Sequence, residues 1–396
     1  MSENRYVHYK KAFSDIPKPF AFLDLDLLQE NIKNIRDRSS GKNVRIASKS
    51  IRSVPVLQRI LDSGAPFQGV MCYSPSEAVF LAEQGFDDLL VAYPAWEKEK
   101  LRSVANQVQA GKEITLMVDS PPHVDRLEEV GREQEVCLPV CLDIDLSVSL
   151  PGLHFGVHRS PLFTLDSFLE TAKKIRDAKH LRLDGIMGYE AQVAGVGDRV
   201  PGQVLKNGGV RLLKKHSIRR AARIRKEWTT ALRELGLSPR FINGGGTGSL
   251  AETAQEDVVT EVTVGSGFYS PILFDHYHSF RYQPAAGFAL EVTRHPRPGI
   301  YTCSGGGYIA SGAAGADRLP RPYLPAEARL TSLEGAGEVQ TPLRLKEGGL
   351  SLGDPVFFRH AKAGELCEHF NELWIISAGE AIDRYPTYRG MGACFL

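Results

Sequence analysis

Short runs rich in apolar and β-branched residues recur from residue 44 to residue 267, and helical patterns separate them. Most of these runs lack polar alternation, which is typical of parallel strands covered on both faces. Eight strand and helix units of this size favour an α/β fold with a (β/α)8 TIM-type barrel over an open doubly wound sheet. The runs are VRIASKS, GVMCYS, DLLVAYP, ITLMVDS, VCLPVCLDIDL, DGIMGYE, RFINGGG and VTVGSG.

The pattern changes near residue 277 to short strands between Gly and Pro turns, which predicts a C-terminal β domain. We therefore assign residues 19–276 to the barrel and 277–396 to the β domain, with which residues 1–18 can associate. An extra strand, AFLDLD, and the helix LLQENIKNIRDR precede the first unit, so the strand count is uncertain by one. The motif SPSE at residues 74–77 predicts a capped helix start.

Charge and composition exclude several classes of function. The chain of 396 residues carries 48 Lys and Arg against 47 Asp and Glu, and this neutrality argues against a nucleic-acid binder. No stretch of 18 apolar residues and no apolar leader is present, so we expect no membrane segment and a cytoplasmic protein. Its six cysteines form no C-x-x-C pair, which predicts reduced thiols rather than a disulfide framework or zinc ribbon.

Positive charge is concentrated at residues 206–226, KNGGVRLLKKHSIRRAARIRK. Charge runs usually form a solvated helix face. The alternative is a collar that attracts an anionic substrate or cofactor. The sequence leaves both interpretations open.

Candidate chemistry lies where the predicted strands end. The first strand finishes with Lys49, at the carboxyl end where barrel active sites are built. An ordinary solvent-exposed lysine would also fit this position. Glycine-rich turns follow strands seven and eight, NGGGTG from Asn243 and GSGFY from Gly265. This is the usual phosphate position of such barrels, where backbone N–H groups hold an anion.

A strand-end lysine with a phosphate cradle suits pyridoxal 5′-phosphate, whose aldehyde forms a Schiff base with lysine while its phosphate anchors the ring. An aldolase-type lysine barrel would also fit. The glycines do not follow the G-x-G-x-x-G pattern of a Rossmann site.

Five segments in order, VRIASKSIRSVPVLQRIL, GVMCYSPSEAVFLAEQGFDDLLVAYP, GIMGYEAQ, FINGGGTGSL and VTVGSGFY, resemble the fold-type III pyridoxal-phosphate enzymes. The branch that the chain resembles most is that of D-threonine aldolase and D-serine dehydratase, with an alanine-racemase-like barrel. The resemblance covers about residues 18–275, and the tail is similar only at LGDPVFFRH and ELCEHFN.

This resemblance implies roles for individual residues. Lys49 would carry the Schiff base and act as a base at the substrate Cα. Tyr189 would contact the cofactor, although a core tyrosine is the alternative. His154 stands where relatives often have arginine, and a surface histidine is equally plausible there. Gln192 stands where relatives often have histidine. The residues implied to bind or adjoin the phosphate are Asn243, Gly245, Gly246, Thr247, Gly265, Ser266 and Tyr269.

The resemblance also implies a divalent metal such as Zn, Mn or Mg in the tail domain. Counting back from Asn371 places Glu365 and Cys367 at the ligand positions, with His360 nearby. All three residue types bind zinc-like ions, but the expected histidine is replaced by Glu365. The alternative is a polar loop in which Glu365 contacts the substrate or a partner subunit.

The leading hypothesis is a lyase acting on a D-β-hydroxy amino acid, as an aldolase first and a dehydratase second. A racemase is the first alternative, with its second acid–base group supplied by a tail tyrosine such as Tyr301, Tyr308 or Tyr323. The second alternative is a non-catalytic pyridoxal-phosphate carrier, although such proteins generally lack a long tail. The resemblance further implies a homodimer.

Overall fold

The structure is a computed structural model that describes residues 2–150, 152–313, 315–346 and 348–395. Its strands are β1 Phe20–Asp24, β2 Asn43–Ala47, β3 Phe67–Cys72, β4 Leu89–Val91, β5 Ile114–Val118, β6 Leu138–Ile144, β7 Val148–Leu150, β8 Leu153–Phe155, β9 Leu181–Gly188, β10 Phe241–Gly244, β11 Glu261–Val264, β12 Ala286–Arg297, β13 Ile300–Ser304, β14 Arg321–Leu324, β15 Arg329–Leu330, β16 Gln340–Arg344, β17 Pro355–Arg359, β18 Glu372–Ser377 and β19 Glu380–Pro386. Its α-helices are α1 Ser2–Ala12, α2 Leu25–Arg38, α3 Val54–Asp62, α4 Pro75–Glu83, α5 Lys98–Gln109, α6 Pro121–Glu133, α7 Leu165–Asp177, α8 Ala191–Ala194, α9 Val204–Glu234, α10 Leu250–Thr253, α11 Ser266–Tyr269 and α12 Leu366–His369.

The described residues divide into two compact units. The barrel unit contains residues 35–49, 59–265 and Phe395, and the tail unit contains residues 2–34, 50–58 and 266–394. The domain boundary between residues 276 and 277 stays a prediction. No helix in the described part of the chain is long and apolar enough to cross a membrane.

The barrel unit holds eight parallel strands that close in the order β10-β11-β2-β3-β4-β5-β6-β9. This confirms the predicted (β/α)8 barrel, because each of the eight apolar runs supplies one of these strands. The runs are apolar throughout since both faces of most strands are buried, as in β5, where all five residues are buried. The predicted helix start is also confirmed, since the Ser74 hydroxyl accepts a hydrogen bond from the N–H of Glu77 at 3.2 Å.

A layer of apolar side chains fills the barrel interior. Buried residues of five strands form this layer, and the partly buried Met71 packs against it. Such filling makes the barrel a packed core rather than a pore, so the chemistry has to take place at one of its ends. The five buried residues are Leu90, Met117, Cys141, Met187 and Phe241.

The tail unit is built on a nine-stranded, mainly antiparallel sheet, which confirms the predicted second β domain. Its central strands run in the order β13-β12-β1-β18. The extra N-terminal strand of the sequence, β1, therefore belongs to this sheet and not to the barrel. Rings from α1, β1 and β17 form its core, in which Tyr9 lies 5.3 Å from Phe22 and 5.4 Å from Phe357 between ring centroids.

The whole basic segment lies in α9, a helix of 31 residues. Two of its cations are not on a solvated face, because Arg225 and Lys214 are buried. Arg225 pairs with Glu190 and Glu256, and Lys214 pairs with Asp198 at 3.2 Å. The segment is therefore partly structural, which neither interpretation of the sequence anticipated.

Candidate active site

The carboxyl end of the barrel carries polar side chains directly above the apolar layer. Since side chains alternate along a strand, a residue two positions beyond a core residue faces the same side. Asp119, Asp143 and Tyr189 each stand two positions after a residue of that layer, namely Met117, Cys141 and Met187. Together with Lys49 and Tyr93 they line a cavity of about 630 Å³, which we call the mouth cavity.

Lys49 lies in a short turn, Ser48–Ser50, that follows β2. Its side chain is exposed, and its Nζ donates a hydrogen bond to the Tyr93 hydroxyl at 3.2 Å. Burial alone would raise the pKa of Tyr93, but the cations of Lys49 and Arg159 outweigh this effect and lower it. The phenol can therefore take part in proton exchange with the lysine more readily than an ordinary tyrosine.

Arg159 connects three of the groups at the mouth. Its Nε donates to a carboxylate oxygen of Asp143 at 2.7 Å, and its guanidinium carbon lies 4.9 Å from the ring centroid of Tyr93 and 5.8 Å from that of Tyr189. Burial, with a contribution from the neighbouring Glu190, raises the pKa of Tyr189 to about 12. Tyr189 is thus a neutral phenol at neutral pH.

Asp143 is the more deeply buried of two carboxylates that line the mouth cavity, the other being Asp119. Burial raises its pKa to about 7, although the Arg159 cation opposes the shift. Oδ2 accepts from Arg159, whereas no described residue donates a hydrogen bond to Oδ1. A carboxyl group with this pKa and one free oxygen can give or take a proton near neutral pH, which is the requirement for a general acid–base group.

The first glycine turn follows β10 and lies beside Tyr189. Gly245 has φ +82°, a conformation that L side chains rarely adopt. A Cβ on Gly246 would lie 2.8 Å from the Cβ of Ala194 and 3.0 Å from Cε2 of Tyr189. Only glycine therefore fits at Gly246, and the absence of a side chain leaves the backbone of this turn accessible to a ligand. Arg38 places a positive charge beside this turn, where its guanidinium donates a hydrogen bond to the carbonyl oxygen of Thr247 at 3.4 Å.

Glu190 holds this glycine turn in place through hydrogen bonds and an ion pair. It accepts hydrogen bonds from the Gly245 N–H at 3.3 Å and the Ser249 hydroxyl at 2.9 Å, and it pairs with Arg225. Arg225 also donates to the carbonyl oxygen of Gly188 at 2.9 Å. One buried ion pair thus joins the end of β9 to the glycine turn.

Other predicted cofactor residues are placed differently. Both hydrogen bonds from the Asn243 amide nitrogen go to the barrel interior, to Glu261 and Thr263 at 2.8 Å each. Gly265 is buried directly after β11. Ser266 and Tyr269 belong to the tail unit, where the Tyr269 hydroxyl donates to the carbonyl oxygen of Ile51 at 3.1 Å. Their roles at a cofactor stay predictions.

His154 and Gln192 both line the mouth cavity. His154 is exposed and stacks on His158 with 4.2 Å between ring centroids. The Gln192 amide nitrogen donates to the carbonyl oxygen of Leu146 at 2.7 Å. Arg159 supplies a guanidinium to the same cavity.

The three predicted metal ligands do not form a metal site. Across the described ranges, no group of three or more His, Cys, Asp or Glu side chains could hold a metal ion. Glu365 is engaged by the backbone N–H of Ser311 at 2.9 Å. The buried Cys367 thiol donates a hydrogen bond to the carbonyl oxygen of Ile51 at 3.3 Å. Burial, with the Arg359 cation adding to it, lowers the pKa of His360 to about 3.

Sequence reasoning overlooked Tyr93, Asp143 and Arg159. The rule that selected Lys49, a polar residue where an apolar strand ends, also applies to Tyr93 in DLLVAYP and to Asp143 in CLDIDL. Arg159 follows no strand of the barrel, so only its contacts reveal it.

The chain is similar in sequence and fold to known proteins. The chain is 28% identical over 255 residues to 3-hydroxy-D-aspartate aldolase of Paracoccus denitrificans (strain Pd 1222) and 26% identical over 249 residues to D-threo-3-hydroxyaspartate dehydratase of Delftia sp. (strain HT23). These matches cover 64% and 62% of this chain, and the chain spans 60% of the length of either relative. The crystal structure of D-threonine aldolase from Filomicrobium marinum has a similar fold, with a TM-score of 0.82, 19% identity, and coverage of 96% of this chain and 97% of that one.

A family model described as alanine racemase, N-terminal domain, matches residues 23–271, which is more than half of the chain. The matched range contains Lys49, Tyr189 and both glycine turns. The resemblance stated from the sequence is therefore confirmed at the level of the family, and this chain belongs to the alanine racemase N-terminal domain family.

Proposed function

We propose that this chain is a pyridoxal 5′-phosphate-dependent lyase that cleaves a D-β-hydroxy amino acid by a retro-aldol reaction. The observation that carries the proposal is the Lys49 amine at the mouth of a closed parallel barrel, 3.2 Å from Tyr93 and in one cavity with Asp143. Two relatives named as aldolase and dehydratase of hydroxyaspartate support this reaction class.

The residues present fit the cofactor. The turn at Gly245 and Gly246 is a cradle that a Cβ would fill, and the guanidinium of Arg38 lies beside it. Lys49 can attach the aldehyde, and Tyr189 lies between the lysine's cavity and the glycine turn. When bound, the cofactor acts as the electron sink for the bond that breaks at the substrate Cα.

The protein's own groups handle the protons. Despite its burial, the cations of Lys49 and Arg159 lower the pKa of Tyr93. Its phenolate form, 3.2 Å from Nζ, can take a proton from the Lys49 ammonium group and leave a neutral, nucleophilic amine. In retro-aldol cleavage the substrate β-hydroxyl loses its proton as the Cα–Cβ bond breaks. We assign Asp143 to this proton, because its pKa is about 7 and Oδ1 has no partner among the described residues.

The metal predicted from the resemblance does not fit the residues at His360, Glu365 and Cys367, so no step is assigned to it. A homodimer stays a prediction from the resemblance.

Incubation of the purified, cofactor-loaded protein with D-threonine, D-serine and D-3-hydroxyaspartate tests the function. An aldolase releases glycine and an aldehyde, or glyoxylate from hydroxyaspartate, whereas a dehydratase releases a 2-oxo acid and ammonia. Solvent deuterium at Cα with loss of optical activity, and no cleavage, would instead support a racemase. Bound cofactor without turnover would support the carrier.

The role of Asp143 predicts the pH dependence of the reaction. A base must be ionised, so kcat/KM of the aldolase reaction rises as the pH rises through about 7. In an Asp143→Asn protein kcat/KM no longer rises with pH in this range, and kcat falls by about 10²–10⁴-fold. Asp125→Asn, on the exposed surface of α6, is the control. A rate that falls through the same pH range would mean that the protonated carboxyl is required, as in dehydration.

A further inference from the structure

A second cavity of about 1030 Å³ lies in the barrel unit beside α9. We call it the basic cavity, because Arg219, Arg220, Arg223 and His216 of this helix line it. Positions 216, 219, 220 and 223 follow the i, i+3, i+4, i+7 spacing of one helix face. The four side chains therefore converge on the same space.

These arginines differ from the buried cations of the same helix. Arg225 and Lys214 each pair with an acid, whereas Arg219, Arg220 and Arg223 form no ion pair with any residue that the structure describes. The Nε of Arg220 is buried and has no hydrogen-bond partner in the same part of the chain. Like charges at i, i+4, such as Arg219 and Arg223, destabilise a helix. No described residue neutralises this positive charge, which Arg219 and Arg223 present at exposed positions beside the cavity.

The other described residues that line the basic cavity include hydrogen-bond donors and one acid. The donors include Ser147 and Ser149, and the Ser149 hydroxyl lies 3.1 Å from Nδ1 of His154. The acid is Asp145, whose carboxylate already accepts the N–H of Ser147 at 2.6 Å. Among the described lining residues, Asp145 is the one carboxylate beside Arg219, Arg220 and Arg223. Arg159 also lines the cavity, but it is paired with Asp143.

We propose that the basic cavity is a binding site for a small molecule carrying two or more phosphate or carboxylate groups. Its volume is at the upper end of the range for small-molecule sites, roughly 300–1,000 Å³. Guanidinium groups bind both kinds of anion through paired, charge-assisted hydrogen bonds. A concave site of this size suits a metabolite.

The site borders the mouth cavity, since His154, His158 and Arg159 line both cavities. Arg159 is the residue that holds Asp143 and lies over Tyr93. A bound anion would contact Arg159, and through this arginine it would affect Asp143 and Tyr93 in the mouth cavity. The binding site itself does not depend on the proposed reaction.

Calorimetric titration of the cofactor-loaded protein with inorganic pyrophosphate and with citrate tests the proposal. We expect saturable binding of at least one probe, with the cofactor absorbance retained. The two probes distinguish a phosphate-bearing from a polycarboxylate ligand. In an Arg219→Gln/Arg220→Gln/Arg223→Gln protein the affinity falls by at least about tenfold. Repeating the titration on a Lys49→Ala protein separates this result from the fate of the lyase proposal.

The matched control is Arg211→Gln/Lys215→Gln/Lys226→Gln, which removes the same charge from exposed positions of α9 outside the cavity. It should bind the probe as the unaltered protein does. Equal loss in both triple variants, no binding of either probe, or displacement of the cofactor by the probe would overturn the proposal. If the first triple variant does not fold, Arg223→Gln alone, at an exposed position, provides the comparison.

Discussion

A Lys49→Ala protein is expected to lose turnover by a factor on the order of 10³ or more. The amine is the group that can bond covalently to the cofactor aldehyde, and no second lysine of the described ranges lines the mouth cavity. The visible absorbance band of the bound cofactor should disappear at the same time. Enzyme assays and an absorption spectrum after dialysis measure both effects.

This loss should not reflect unfolding, because the Lys49 side chain is exposed. The circular dichroism spectrum and thermal midpoint of the variant should match those of the unaltered protein from which the cofactor has been removed. Lys173→Ala, at an exposed position on α7, is the control and should keep its activity. Full turnover by the Lys49→Ala protein would contradict the proposed function.

An Arg225→Met protein should be less stable by about 3–5 kcal/mol in its free energy of unfolding. The variant leaves the carboxylates of Glu190 and Glu256 in the barrel without their cation, and both are almost fully buried. Since Glu190 also holds the Gly245 N–H, cofactor affinity should fall as well. Urea unfolding and cofactor titration measure the two effects.

Lys226→Met is the matched control, because Lys226 is the next residue of α9 and is exposed. Its stability should change by no more than about 0.5 kcal/mol. Adding Glu190→Gln and Glu256→Gln to Arg225→Met should recover part of the loss, since it removes the unpaired charges. If Arg225→Met unfolds at the same urea concentration as Lys226→Met, the ion pair does not support the barrel.

The barrel could be predicted because each of its strands is specified by a few neighbouring residues. A parallel strand that is covered on both faces requires a continuous apolar run, which is visible in the sequence. A side chain at the carboxyl edge of the barrel is identified by its position at the end of such a run. Lys49 was found in this way, whereas Tyr189 was implied by the resemblance to a family; both line the mouth cavity. Tyr93 and Asp143 obey the same rule and could have been found with it.

The strand AFLDLD shows where local pattern stops being sufficient. As β1 it pairs antiparallel with β12 and parallel with β18, strands that lie more than 250 residues further along the chain. Nothing in its own residues distinguishes a strand of the barrel from a strand of the tail sheet. Its assignment depends on distant partners.

By itself, the sequence determined the eight strands, the glycine turns and the lysine at a strand end, because each follows from hydrophobic period or backbone conformation within a few residues. Only the tertiary structure decided which charges are paired. Arg225 and Arg223 stand two residues apart in one basic run, yet one is buried against Glu190 and the other lines a cavity. The free energy of a charge depends on its burial and its partners, and neither is a property of the local sequence.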